Sequence, residues 1–461
     1  MTQIQNTFIA APGVWITAAD GATTDGSTVK SGTSMAAPVV SGALATLLST
    51  WDQLTPTQAS QIVRDTADRS FAGYAPELYG VGILDVEAAM SPIGALKAAS
   101  TGTGASIKIT DVSAKVPSSL AGIKDIPALK KAAFYDDYNR DYAFDMSKMV
   151  QVEKTPIDWN AHWNQSIIGK HYTRSADLGF ASLTMAVNPG QPDGIQSLSL
   201  AGQNYSFSFG QDYAVKSGLE SLAYANDFVG LRSSDETRAF AGNYRLNNGL
   251  SLVGDVKWKD SYSLVSDSDG VDTSNQFGLM FQATDNLTLG AGVEWINQTN
   301  SFAGMSGEGT LSFGENNLTQ LGVLSANYKH GANEFFGLFK AGKLADNQSA
   351  DYQYLSIKDA TLGQTVLGFR SMLDKESQFG LQAYNDLSVT NASMSLHIPT
   401  GMDSEGNMEF ATEKFNYKGN LAPNTFEAFY KVSPAKGMNY MLNAVSSPDD
   451  VGVGLRMETR F

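Results

Sequence analysis

A chain of 461 residues has room for two or three domains. With 17% charged and 10% aromatic residues it is a folded chain, and a net charge of −15 argues against nucleic acid as a partner. It has no cysteine, which excludes a disulfide framework and suits a cell-envelope protein that crosses an oxidising compartment unfolded.

No apolar run reaches the roughly eighteen residues that a transmembrane helix requires. Met1 to Thr7 lack the basic and apolar regions of a signal peptide. In chain order, the first strong signal is Ser31-Gly32-Thr33-Ser34-Met35-Ala36-Ala37-Pro38. Ser34 opens a helical run in which Val40, Ala43, Leu44, Leu47 and Leu48 recur at three- and four-residue spacing. A serine there meets unpaired backbone N–H groups and the positive end of the helix dipole, the setting in which an oxyanion is stabilised. An ordinary capped helix has the same start, so position alone leaves both readings open. Leu54-Thr55-Pro56-Thr57-Gln58 starts a second helix with Thr55 as N-cap and Gln58 closing a capping box, and Ala59, Ile62, Val63 and Ala67 form its buried stripe.

After Pro92 the composition turns small and polar, and 98–106 reads as a linker. Ile107–Thr110 reads as a short strand and Pro127–Phe134 as a short amphipathic helix. From about residue 155 the period becomes two. Phe240, Gly242, Tyr244 and Leu246 alternate with Ala241, Asn243 and Arg245; Leu250 to Trp258 does the same after the turn Asn247-Asn248-Gly249. Phe277–Phe281 and Leu287–Trp295 pair through Thr284-Asp285-Asn286, and further runs lie at 379–383, 426–432 and 438–444. Segments of about nine to eleven residues, with Gly, Asn, Gln, Asp, Lys and Arg on alternate positions, point to an antiparallel transmembrane β-barrel of about twelve to sixteen strands with a wet interior. A soluble sandwich or propeller is the competing architecture. Charges such as Arg245, Asp255, Glu294, Arg370 and Arg456 then face the interior, where they solvate it or pair with one another.

Five stretches resemble known families. Gly32-Thr33-Ser34-Met35-Ala36-Ala37-Pro38, followed by Val40-Ser41-Gly42-Ala43, resembles the serine motif of the subtilisin-like (subtilase, S8) proteases. Val39 departs from the family pattern at a position outside the triad. Ala11-Pro12-Gly13-Val14 is similar to the Ala-Pro-Gly segment that precedes that motif. Tyr79-Gly80-Val81-Gly82-Ile83-Leu84-Asp85 with Ala88-Ala89 is similar to the Gly-x-Gly turn and last helix of such a domain. Tyr135 to Tyr142, with Asp136 and Arg140-Asp141, looks like the junction between protease and membrane domain in subtilase autotransporters. The alternating strand Val451 to Phe461, ending on phenylalanine, resembles the insertion signal of bacterial outer-membrane barrels.

The resemblance implies a multidomain chain: the C-terminal part of an α/β subtilisin-like domain over 1–95, a junction over 96–154 and an autotransporter barrel over 155–461. It implies a cell-surface serine endopeptidase acting on polypeptides. Ser34 is its nucleophile, with Gly32, Thr33 and Met35 as neighbours of the oxyanion and the pocket. No cofactor or metal site is expected, and the partners are outer-membrane lipid and the barrel-assembly machinery. The family's Asp and His precede its Ser, yet no histidine precedes Ser34. The four histidines are His162, His171, His330 and His397, expected on strands or loops, and Asp20 and Asp25 are expected in a loop. The N-terminus is therefore expected to be truncated and the chain inactive alone. The alternative is a non-catalytic outer-membrane barrel carrying a degenerate subtilase remnant.

Overall fold

The computed structural model describes residues 7–98, 107–154, 157, 159, 172–187, 195–211, 215, 218–222, 237–263, 268–314, 316–348, 353–435 and 438–459. The chain divides into two compact units. One gathers Met1–Thr110, Ile126–Ser147 and His397–Thr412; the other gathers Asp111–Asp125, Lys148–Leu396 and Glu413–Phe461. The units are discontinuous in sequence, because composition marks where a segment starts but not which distant segment it pairs with.

The first unit opens with the hairpin β1 (Ile16–Ala19) and β2 (Ser27–Lys30), followed by α1 (Thr33–Thr50), α2 (Pro56–Asp65), α3 (Pro76–Tyr79) and α4 (Val86–Met90). The α2 start is as expected: Gln58 N–H donates to Thr55 Oγ1 at 3.2 Å, and Thr55 N–H donates to Gln58 Oε1 at 3.0 Å. Leu47, Trp51, Leu54, Ile62, Val63 and Ala89 form the core between α1, α2 and α4. α1 spans 18 residues with a mean hydropathy of 1.2, long and apolar enough by length and composition to cross a membrane. The sequence does not show it as an unbroken apolar run because Ser41, Gly42 and Thr46 interrupt it. Leu47 nevertheless anchors it in the core of this unit.

The junction carries β3 (Lys97–Ala98), β4 (Ile107–Lys108), β5 (Ser113–Pro117), β6 (Ala132–Tyr135), β7 (Asp141–Phe144) and β8 (Val150–Glu153). The proposed linker residues 99–106 lie outside the described residues. β4-β3-β6-β7 form one sheet of the first unit, and β5 pairs in parallel with β8 in the second. The helix expected over 127–134 is instead a 3-10 turn, Pro127–Lys131, running into β6. Ala132, Ala133, Phe134 and Tyr135 are all buried, and a strand buried on both faces carries no alternating pattern to betray it.

The second unit is dominated by β9 (Tyr172–Asp177), β10 (Ser182–Val187), β11 (Ile195–Ala201), β12 (Tyr205–Gln211), β13 (Arg238–Arg245), β14 (Leu250–Ser263), β15 (Ser268–Gln282) and β16 (Leu287–Gln298). After the short β17 (Ser301–Phe302) and β18 (Met305–Glu308) come β19 (Asn316–His330), β20 (Asn333–Gln348), β21 (Leu355–Met372), β22 (Ser377–Tyr384) and β23 (Ser388–Met402). β24 (Met408–Lys418), β25 (Thr425–Ala435), β26 (Met438–Ser446) and β27 (Val451–Thr459) follow, with His397–Met402 of β23 and Met408–Thr412 of β24 belonging to the first unit. Among the described residues, β9 to β16 and β19 to β27 form a 17-stranded antiparallel barrel sheet, one strand beyond the expected range. The surplus has a local cause. β21 pairs through Val366–Met372 with β22 and through Leu355–Gly363 with β23, while β22 also pairs directly with β25. The β23–β24 hairpin is thus a branch, and no residue of β24 is fully buried. Several strands also exceed the expected length, β21 reaching 18 residues.

Both turns read from the sequence are present. Asn247 Oδ1 accepts from Gly249 and Leu250 N–H, and Thr284 Oγ1 accepts from Asn286 and Leu287 N–H. Phe240, Leu252, Phe277, Leu279, Leu289 and Leu324 are exposed on one face, while Ala241, Val253, Gln276, Glu294 and Val323 on the other face are buried or nearly so. The interior is not simply wet: Val253, Phe336, Val366, Tyr384, Phe429 and Met441 form an apolar cluster there.

Candidate active site

Ser34 is the second residue of α1, behind the N-cap Gly32 at φ 151°. Met35 and Ala36 N–H both donate to the Gly32 carbonyl, at 3.0 and 3.4 Å. The helix start is held from one side by the Ala11–Gly13 segment. Gly32 N–H donates to the Gly13 carbonyl at 2.7 Å, and Trp15 N–H donates to Ser31 Oγ at 2.9 Å. A Cβ on Gly13 would stand 2.9 Å from the Gly32 carbonyl oxygen and 3.1 Å from Ala36 Cβ, so the close approach needs glycine. Two of the segments that carry the family resemblance, Ala11–Val14 and the serine motif, are thereby packed together.

Gly32, Thr33 and Ser34 are exposed and Met35 is half-buried. Among the described residues, no imidazole or carboxylate hydrogen-bonds the Ser34 hydroxyl. Asp20 lies at the β1–β2 turn, where its carboxylate accepts from Ala22 N–H at 3.1 Å. In the same unit, His397 shares a 2.8 Å hydrogen bond with Thr412 Oγ1 and stacks on Phe410. In the other unit, His330 stacks on Tyr328. His162 and His171 lie outside the described residues, as does Phe461. The site as described holds a presented serine at a helix start, without a base on it.

The strongest polar cluster of this unit is one that sequence reasoning noticed only as a junction. Asp136 and Arg140 are both fully buried and pair at 2.7 Å. The Arg140 guanidinium also donates to the carbonyls of Ala89 and Ser91, at the end of α4, and lies 4.8 Å from the Trp51 ring centroid and 5.6 Å from that of Tyr142. Asp136 accepts from the backbone N–H of Ile93, Tyr138 and Arg140. Every polar atom of the pair is thus answered, which is what makes a buried ion pair tolerable. Burial pushes the Tyr142 hydroxyl up to about 12, against the opposing pull of Arg140. Tyr138 is also raised, by burial and by its hydrogen bond to Asp65. An acid four residues before an arginine, in a tyrosine-rich stretch, was the available signal.

Of the barrel charges named from sequence, Asp255 and Glu294 are buried in the interior and Arg370 pairs with Glu334. Arg245 is exposed at its strand end, and Arg456 is half-buried.

Residues 2–82 match the Peptidase_S8 family, the subtilase family. No curated protein matches the chain. Among solved structures, a porin refined at 1.8 Å overlaps 63% of this chain and 91% of its own, at 12% identity and a TM-score of 0.36. A mutant porin of Rh. blastica overlaps 63% and 88%, at 14% identity and a TM-score of 0.29. The chain therefore joins a subtilase-family segment, bearing Ser34, to a large antiparallel barrel.

Proposed function

We propose that this chain carries the nucleophile-bearing part of a subtilisin-like serine endopeptidase, displayed at the surface of a bacterial outer membrane by an autotransporter barrel. The observation that carries the reading is Ser34 presented at the start of α1 within a segment that matches the subtilase family. In the complete triad, Ser34 Oγ attacks the scissile carbonyl. A histidine oriented by an aspartate takes its proton and returns it to the leaving amine. N–H groups at the helix start face the developing oxyanion, and Thr33 and Met35 flank the pocket. The membrane part of the reading is supported by the outward Phe and Leu side chains, because hydrocarbon accepts apolar surface and requires every backbone group to be paired within the protein.

A second reading is favoured because no base among the described residues meets Ser34: a non-catalytic barrel with a subtilase-derived surface domain. Fluorophosphonate labelling separates the two. The endopeptidase reading expects labelling once the triad histidine and aspartate are supplied together with this chain, and Ser34→Ala abolishes it. A folded barrel that never labels even with that histidine and aspartate supplied selects the second reading.

A further inference from the structure

We propose that the 3-10 turn Leu219–Leu222, in the connection between β12 and β13, is a seated stopper of the barrel interior, which must leave its seat before a solute or polypeptide can pass. The seat is built into the wall. On β15 and β16 the exposed Phe277, Leu279, Leu289 and Val293 face outward, so Gly278, Gly290 and Gly292 face inward, and Gly278 pairs with Gly292. A Cβ on Gly278, Gly290 or Gly292 would come within 2.6 to 2.8 Å of the Leu219 methyl groups. The three glycines leave a hollow that Leu219 fills, and Leu219 is fully buried.

Polar contacts clamp the turn at both ends. Leu219 N–H donates to Gln276 Oε1 at 2.9 Å, and Asn327 Nδ2 donates to the Leu222 carbonyl at 3.1 Å. Between them Glu220 bridges two lysines: Lys257 Nζ at 2.7 Å, and Lys340, which also pairs with Glu294 at 2.8 Å. Gln276, Asn327, Lys257, Lys340 and Glu294 come from the five successive strands β14, β15, β16, β19 and β20. Leu219 also belongs to the apolar cluster that reaches Val366 on β21, Phe429 on β25 and Met441 on β26. The turn therefore fills space that would otherwise be open. Its charges are what make it removable. A buried ion pair adds little net stability over an apolar contact, yet reversing one partner is strongly unfavourable.

The chain has no cysteine, so single substitutions report directly. Leu219→Cys in the heat-modifiable, folded protein is expected to react with an impermeant maleimide at least about tenfold more slowly than Ser221→Cys, whose side chain is exposed. Adding E220K should abolish that protection and raise ion flux through proteoliposomes at least about tenfold, and K257E with K340E should restore both. Equal labelling at 219 and 221 overturns the seat, whether or not E220K folds. Lost protection with unchanged flux overturns the stopper. The flux measurement rests on the membrane reading above, whereas the labelling does not, so a barrel that fails to insert while Leu219→Cys stays protected counts against that reading alone.

Discussion

In the first unit Leu47, Ile62 and Val63 are buried and the helix surfaces carry Ser, Thr and Gln; in the barrel Phe277, Leu279 and Leu289 are exposed while Glu220, Glu294 and Lys340 are buried. One chain thus follows two opposite partition rules. The first unit is sorted against water, so its few internal charges must be locked, as Arg140 is. The barrel is sorted as for an apolar surround, so its interior tolerates charge and its outer face tolerates phenylalanine. The contrast shows that hydrophobicity alone does not decide inside from outside; the solvent beyond each surface does.

The comparison breaks most sharply at Arg140. Arg140→Ala leaves Asp136 as an uncompensated buried charge and is expected to destabilise the first unit by about 3–5 kcal/mol. Hydrogen exchange in α1 and α2 of the full chain should read that loss and leave the barrel strands protected. Equal loss in both would erase the distinction. Next, Leu279→Arg on the outer barrel face should cost about 2–4 kcal/mol of folding into a bilayer. The same substitution costing nothing there would show that water, not hydrocarbon, faces Leu279. Thr55→Ala removes the α2 cap and should cost about 1 kcal/mol, again confined to the first unit by exchange. The smallest effect is alkaline. Tyr142 is raised, so its contribution is complete below its ordinary value near 10 and is lost as pH climbs to about 12. Unfolding midpoints of the first unit should fall across that window, and Tyr142→Phe should flatten the fall.

Much of this was legible in the residues. The Thr55–Gln58 capping box, the Asn247–Gly249 turn and the alternation along β13 to β16 are local, and local rules found them. The helix start beside Ser34 was legible because the apolar spacing of the helix begins at the motif itself. The strand Ala132–Tyr135 was missed because a strand buried on both faces has no period. The β23–β24 branch was missed because nothing in β21 announces that its two halves pair with different strands. The hollow for Leu219 escaped for a similar reason: Gly278 lies on one strand and Gly290 and Gly292 on the next, and only register brings them together.

The division of the chain has a consequence for inheritance. The two units alternate along the sequence, with boundaries after residues 110, 125, 147, 396 and 412. A single crossover with a related gene at almost any of these points would divide at least one unit between two parents. Exchanging the first unit for another therefore requires the Ile126–Ser147 and His397–Thr412 pieces to travel with it, so the two units are built to diverge together.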